Sequence, residues 1–98
     1  MIIFLKKFGT TLSSRQAGKE SLAAFEPTLR DVKEGEEVVA DFEGVFVFTP
    51  SWGDEFLTPL LKRFGQRLIL KNTENPSVQA TLKLLEQIHK KKFIDASI

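Results

Sequence analysis

The sequence predicts an α/β domain of the layered kind, with a largely parallel sheet and crossover helices. Three short segments rich in β-branched and aromatic residues alternate with three segments of helical periodicity, and each helical segment opens on a capping signature. Parallel neighbours need a crossover, normally a right-handed helix, so this alternation argues for a parallel sheet. At 98 residues the chain can build one core but not two, and residues 1–98 are read as one domain.

Ile2 to Phe8 is the first expected strand, and Gly9, Thr10 and Thr11 form a loop. Ser13 and Gln16 have capping-box spacing, so a helix should begin there. Gly18, Leu22, Phe25, Leu29 and Val32 recur at intervals of four and three and share one helical face. Pro27 lacks an N–H and crowds the preceding turn, but the stripe continues past it, which predicts a kinked continuation. Val38 to Phe42 is the second strand, followed by a Glu43-Gly44 turn signal and a loop to Pro50. Ser51 and Asp54 fit a helix start, with the serine as cap and the acid favoured by the dipole. Trp52, Phe56, Leu57, Leu60, Leu61 and Phe64 make the apolar face of this helix, Pro59 predicts a distortion in it, and Gly65 is its C-cap. Arg67 to Lys71 is the third strand. Asn75 then caps a last helix with Pro76 at its first position, and Val78, Leu82, Leu85 and Ile88 form its inner face.

Composition narrows the function classes. Apolar residues at 42% and charged residues at 28% are ordinary for a globular domain. The absence of cysteine removes disulfides, thiolate catalysis and thiolate metal sites, and suits a reducing compartment. With one histidine, a zinc site would have to lean on carboxylates, and neither a metal nor a cofactor is expected. The apolar run before Lys6 and Lys7 is far shorter than the roughly 20 residues of a membrane span, so the expected location is the cytoplasm. Net charge is +1 but uneven: residues 1–61 carry six basic and ten acidic side chains, and residues 62–98 carry eight and three. The basic final third, with Lys90, Lys91 and Lys92, could meet an acidic partner. It reads more readily as solvated helix surface, because its basic residues are not interleaved with exposed aromatics as on nucleic-acid platforms.

In a parallel α/β sheet the strand-to-helix loops lie together at the carboxyl ends of the strands, where ligands bind. Here those loops are Thr10 to Arg15, Thr49 to Asp54 and Asn72 to Asn75. Three helix N-termini on one edge could receive an anion, with Arg15 as a bidentate donor. Arg15 could instead pair internally with Asp41 or Glu43, and Asp41 needs a partner if buried. Asp54 and Glu55 are neighbours on a helix and point apart, which suits capping and dipole roles better than paired-carboxylate catalysis. His89 lies at a helix end, where a cation complements the dipole, and is assigned no catalysis. Trp52 and Phe56 read as core. Phe46 and Phe48 are either core lids or an exposed patch. No phosphate-cradling glycine motif and no local serine, histidine and acid arrangement is present.

The string VVADFEGV at 38–45, followed by SWGDE at 51–55 and preceded by LSSRQA at 12–17, resembles the STAS-like domain family of unknown function. More distantly it resembles the STAS domains of anti-sigma factor antagonists. The similarity spans about residues 8 to 88. It implies a small STAS-like layered fold in a bacterial or phage protein that regulates by protein contact, without turnover. The implied partner is a histidine-kinase-like ATPase or an anti-sigma-type regulator. The recognition edge would comprise Ser14, Arg15, Thr49, Ser51, Trp52 and Asp54, with a small anionic ligand or nucleotide at the helix N-termini as the alternative. Antagonists of this kind are switched by phosphorylation within an Asp-Ser-Ser-Gly sequence. This chain has Thr49, Pro50, Ser51 and Trp52 there, so a proline stands at the usual acceptor position. Ser51 is then the candidate phosphoacceptor, or a plain cap.

Overall fold

A computed structural model describes residues 1–97. Its main sheet has four strands, β1 (Ile2–Phe4), β3 (Val38–Asp41), β5 (Leu68–Lys71) and β6 (Ile94–Asp95), in the spatial order β1-β3-β5-β6, and every neighbouring pair is parallel. Three helices connect them: α1 (Arg15–Leu29), α2 (Pro50–Phe64) and α3 (Pro76–His89). A second, two-stranded parallel ladder joins β2 (Thr11–Leu12) to β4 (Val47–Phe48). The layered α/β class and the parallel sheet are as expected.

The three helices cover one face of the main sheet. Ile3, Val38, Ala40, Leu68 and Leu70 are buried there in one apolar cluster with Phe25 and Leu29 of α1, Trp52, Phe56 and Leu60 of α2, and Val78 and Leu82 of α3. Alternate strand residues point the other way, and Ile2, Phe4 and Ile94 remain exposed. The core centre is aromatic. Trp52 stacks on Phe56 at 4.8 Å and meets Phe48 and Phe8 at 6.0 Å each, while Phe8 sets its edge against Phe25 at 5.8 Å.

Several boundaries differ from the expectation, for local reasons. The first strand stops at Phe4 because Leu5 to Phe8 coil into a short 3-10 turn, which turns Leu5 inward and brings Phe8 to the aromatic centre. The cap of α1 is Ser14, whose hydroxyl accepts from the Ala17 N–H at 2.9 Å. Gln16 reaches forward to Glu20 rather than back to Ser13. Both helices run through their prolines, and the α1 stripe Gly18, Phe25, Leu29 is buried. The α2 cap is Thr49, two residues earlier than the expected Ser51, with Pro50 at the first helical position. Ile88 is not on the inner face of α3. It is 56% exposed, because α3 packs through Val78, Thr81, Leu82 and Leu85. β2, β4 and β6, each of two residues, were expected as loop or not at all.

Gly18 marks the closest approach of α1 to α2: a Cβ there would lie 2.7 Å from the Trp52 carbonyl oxygen and 3.1 Å from its Cα. In an open helix, alanine would be favoured over glycine by about 1 kcal/mol. Here the obstacle is backbone, and overpacking of this kind costs about 1–3 kcal/mol. Gly18→Ala is therefore expected to lower unfolding free energy by about 1–2 kcal/mol in urea titration. A gain in stability would mean that the two helices do not meet this closely.

Candidate functional site

The β2–β4 ladder sits beyond the carboxyl ends of β1 and β3 and feeds the chain into α1 and α2, so the loops singled out by sequence do converge. Phe46 and Val47 donate to the Thr10 carbonyl at 2.9 and 3.1 Å, and the Thr49 N–H donates to the Leu12 carbonyl at 3.0 Å. Thr49 then ties the edge together with its side chain. Its hydroxyl donates to the Ser13 carbonyl at 2.9 Å, lies 3.3 Å from the Leu12 carbonyl, and accepts from the Trp52 N–H. One residue thus caps α2 and fastens it to the entry of α1.

On its other side β4 has no strand neighbour, and side chains of α3 supply the missing partners. Phe48 donates its N–H to the Ser77 hydroxyl at 3.0 Å, and its carbonyl accepts from the buried Thr81 hydroxyl. Asn75 donates from Nδ2 to the carbonyls of Phe46 (3.1 Å) and Val45 (3.3 Å). Its Oδ1 accepts from the N–H groups of Ser77 and Val78, so a single amide caps α3 and holds the loop before β4.

The charged part of the edge joins all three helices. Arg15 reaches from α1 to Glu55 (2.9 Å) and Asp54 (3.4 Å), not to Asp41 or Glu43. Asp41, 8% exposed, instead accepts at Oδ1 from the Glu43 N–H (2.9 Å) and from the Asn72 amide (2.8 Å). Because α2 begins at Pro50, Asp54 and Glu55 fall beyond its first turn, and the expected capping role is replaced by side-chain pairing. Asp54 accepts from Thr58, one turn on, at 3.1 Å and from His89 Nε2 at the end of α3 at 2.7 Å. No sequence signal joins Asp54 to His89, since the contact exists only once α3 has docked on α2.

The other candidates divide by exposure. Trp52 is 1% exposed and belongs to the core, so its side chain is withdrawn from the surface of this edge; it stacks on Phe56 because the N-terminal turn of α2 faces the sheet. Phe48 is likewise buried, at 1%, whereas Phe46 is 68% exposed beside the Thr10 loop. Ser14 and Arg15 are exposed and Ser51 is half-buried at the second position of α2. The cap side chains of Ser14, Thr49 and Asn75 already occupy the N–H groups of Ala17, Trp52, Ser77 and Val78, which weakens the anion-binding capacity of all three helix ends. Among the described residues, no group of three His, Cys, Asp or Glu side chains is placed to hold a metal, and no helix is long and apolar enough to cross a membrane.

Burial of Asp54 acts to raise its pKa, and hydrogen bonds from His89, Thr58 and Arg15 outweigh it, holding the carboxyl below the ordinary aspartate range. Because the folded value lies below the unfolded one, the carboxylate stabilises the fold above the unfolded pKa, and the contribution is lost as pH falls through the depressed folded value. Asp54→Asn is expected to lower the urea midpoint at about pH 7, with the gap from wild type narrowing at about pH 3. A gap independent of pH would assign Asp54 no ionic role.

Comparison with known proteins adds one result. No curated protein and no solved structure matches the chain. A family model described as "STAS-like domain of unknown function (DUF4325)" matches residues 25–78, from the middle of α1 through β3, β4, α2 and β5 to the start of α3. The match includes Thr49, Ser51 and Asp54 and stops short of Ser14 and Arg15. It spans more than half of the sequence and agrees with the layered parallel architecture, and on that basis the chain belongs to the family of STAS-like domains of unknown function.

Proposed function

We propose that this STAS-like domain is a non-catalytic regulatory module of the cytoplasm. It binds a partner protein through the strand-to-helix edge of Arg15, Thr49, Ser51 and Asp54, with Ser14 at its border. The observation that carries this reading is the construction of that edge. Thr49, Asn75, Ser77 and Thr81 consume its backbone polar groups internally and fix it between three helices, yet it leaves Phe46 68% exposed and Arg15 more than half exposed. A rigid surface offering an aromatic ring and an arginine suits docking, since such residues dominate binding energy at protein interfaces. The class of partner rests on the family likeness: a histidine-kinase-like ATPase or an anti-sigma-type regulator. A phosphate on Ser51 would sit at the positive end of α2 and would change the charge of this surface.

The second reading, an anionic small molecule or nucleotide held at the helix ends, has less support because the caps already satisfy N–H groups there. Thermal unfolding with inorganic phosphate and with nucleotides separates the two. A ligand present at about 100 times its dissociation constant would add about 2.7 kcal/mol of stability, and no such shift is expected.

The docking reading is tested by capture of a partner from the native host, followed by calorimetric titration of the purified pair. Arg15→Ala and Phe46→Ala are each expected to weaken binding by about 1–2 kcal/mol, and Ser51→Asp to change it in the same assay. A captured protein whose affinity is indifferent to all three substitutions would place its interface elsewhere and remove this function from the edge.

A further inference from the structure

The lysine run that follows α3 takes no part in the strand-to-helix edge, and it has a place of its own in the fold. α3 is closed by Lys90, which stands in the left-handed conformation at φ 55° and ψ 41°, a position that glycine ordinarily fills. That turn takes the chain off the axis of α3 and lays Lys91 and Lys92 beside the last turn of α2. With Lys62 they wall an open cavity of about 380 Å³, whose apolar floor is Leu61 and Ile94 and whose other polar side chain is that of Gln66. The cavity lies at the amino ends of β5 and β6, the end of the sheet opposite the candidate edge.

Its charge is one-sided. Among the described residues no carboxylate lines it, and Lys62 and Lys91 make no ion pair. Lys92, whose side chain is 89% exposed, meets Glu86 at 3.7 Å, outside the lining. Asp95, next to Ile94, is already bound by the Thr73 hydroxyl and the Ser97 N–H. The arginines nearby are occupied, Arg63 with Glu26 and Arg67 with the Glu36 carbonyl. Ammonium groups brought into one hollow repel one another, and an anion between them turns that repulsion into attraction.

We infer that this cavity binds an acidic peptide segment of a partner protein, its carboxylates paired with Lys62, Lys91 and Lys92 and an apolar side chain resting on Leu61 and Ile94. Phosphate groups are characteristically held by the N–H groups of a helix N-terminus or by arginine forks. This cavity lies against the C-terminal turn of α2, where the backbone presents carbonyls, so lysine heads alone carry the charge. A single-stranded nucleic acid stacks its bases on aromatic side chains, and none lines the cavity among the described residues. Carboxylates spaced along a peptide match separate ammonium groups on two segments of chain, and the apolar floor gives such a peptide something besides charge to recognise. The site does not depend on the docking reading of the strand-to-helix edge.

NMR titration of the isotope-labelled full chain tests this at about 0.1 M salt, where charges farther apart than about 10 Å are screened. The probe is a short peptide of glutamates interrupted by leucines. Saturable shifts are expected at the amides of Leu61 to Gln66 and Lys91 to Ile94, with those of Arg15 and Phe46 unmoved. Lys62→Glu and Lys92→Glu are each expected to weaken binding about tenfold. Lys19→Glu, the same charge change on exposed α1, is expected to weaken it by less than about twofold. All three lysines are exposed, and circular dichroism checks that each variant folds. Absence of saturation up to about 1 mM peptide overturns the proposal. Binding that ignores both Lys62→Glu and Lys92→Glu, or shifts confined to the strand-to-helix edge, overturns it by locating the contact elsewhere. Tighter binding of an oligothymidylate of equal charge, or of inorganic phosphate, at the same amides overturns the peptide assignment in favour of a nucleic-acid or phosphate site.

Discussion

The backbone hydrogen bonds of β4 are the constraint on which the rest of this structure depends. A two-residue strand with one neighbour would ordinarily leave N–H and C=O groups without partners in a buried position, at a cost comparable to lost hydrogen bonds. Here β2 satisfies one side and the side chains of Ser77 and Thr81 satisfy the other, while Asn75 holds the carbonyls of Val45 and Phe46 just before the strand. The strand is thus completed by a helix. This arrangement fixes where α2 begins, and therefore where Trp52 enters the core and where Arg15 finds its carboxylates.

Apolar and charged contacts divide the labour. Trp52, Phe48, Phe56 and Phe8 form one continuous aromatic centre, and large side chains of this kind each stabilise by about 1.5–3 kcal/mol on burial, before geometric terms. The Arg15–Glu55 pair, with Arg15 more than half exposed, belongs to a class worth about 0–1 kcal/mol. The fold would survive loss of the pair, so Arg15 is available to a partner at little energetic expense. Asp54 is different because it links α2 to Arg15 of α1 and to His89 of α3, and a substitution there removes both links as well as the surface charge.

Legibility in the sequence followed the range of the interaction. The helices were readable because their apolar stripes and caps are local: Asn75 with Pro76, the face from Phe56 to Phe64, and Gly65 at a positive φ of 56° all stand where periodicity placed them. The core strands were readable from β-branched runs. β2, β4 and β6 were not, because a two-residue strand has no periodicity and exists only through its partner. The α2 cap differs by two residues from the sequence expectation because Thr49 and Ser51 are both competent caps, and only the distant carbonyls of Leu12 and Ser13 choose between them. At the candidate site, the convergence of the loops was legible from topology alone. The pairing of Asp54 with His89 and the opposite fates of Phe46 and Phe48 depend on α3 docking, which no local pattern encodes.

Asn75 has a chemical consequence beyond its hydrogen bonds. Asparagines in proteins convert slowly to aspartate when the nitrogen of the following residue attacks the side-chain amide and closes a five-membered imide. Pro76 follows Asn75, and a proline nitrogen carries no hydrogen to lose, so that ring cannot form in the usual way. Conversion would have removed the donor that holds Phe46 and Val45 while adding a negative charge beside the edge. An asparagine that both caps α3 and holds the chain before β4 is therefore shielded by its own neighbour, and the same proline that starts α3 keeps that junction durable over the lifetime of the molecule.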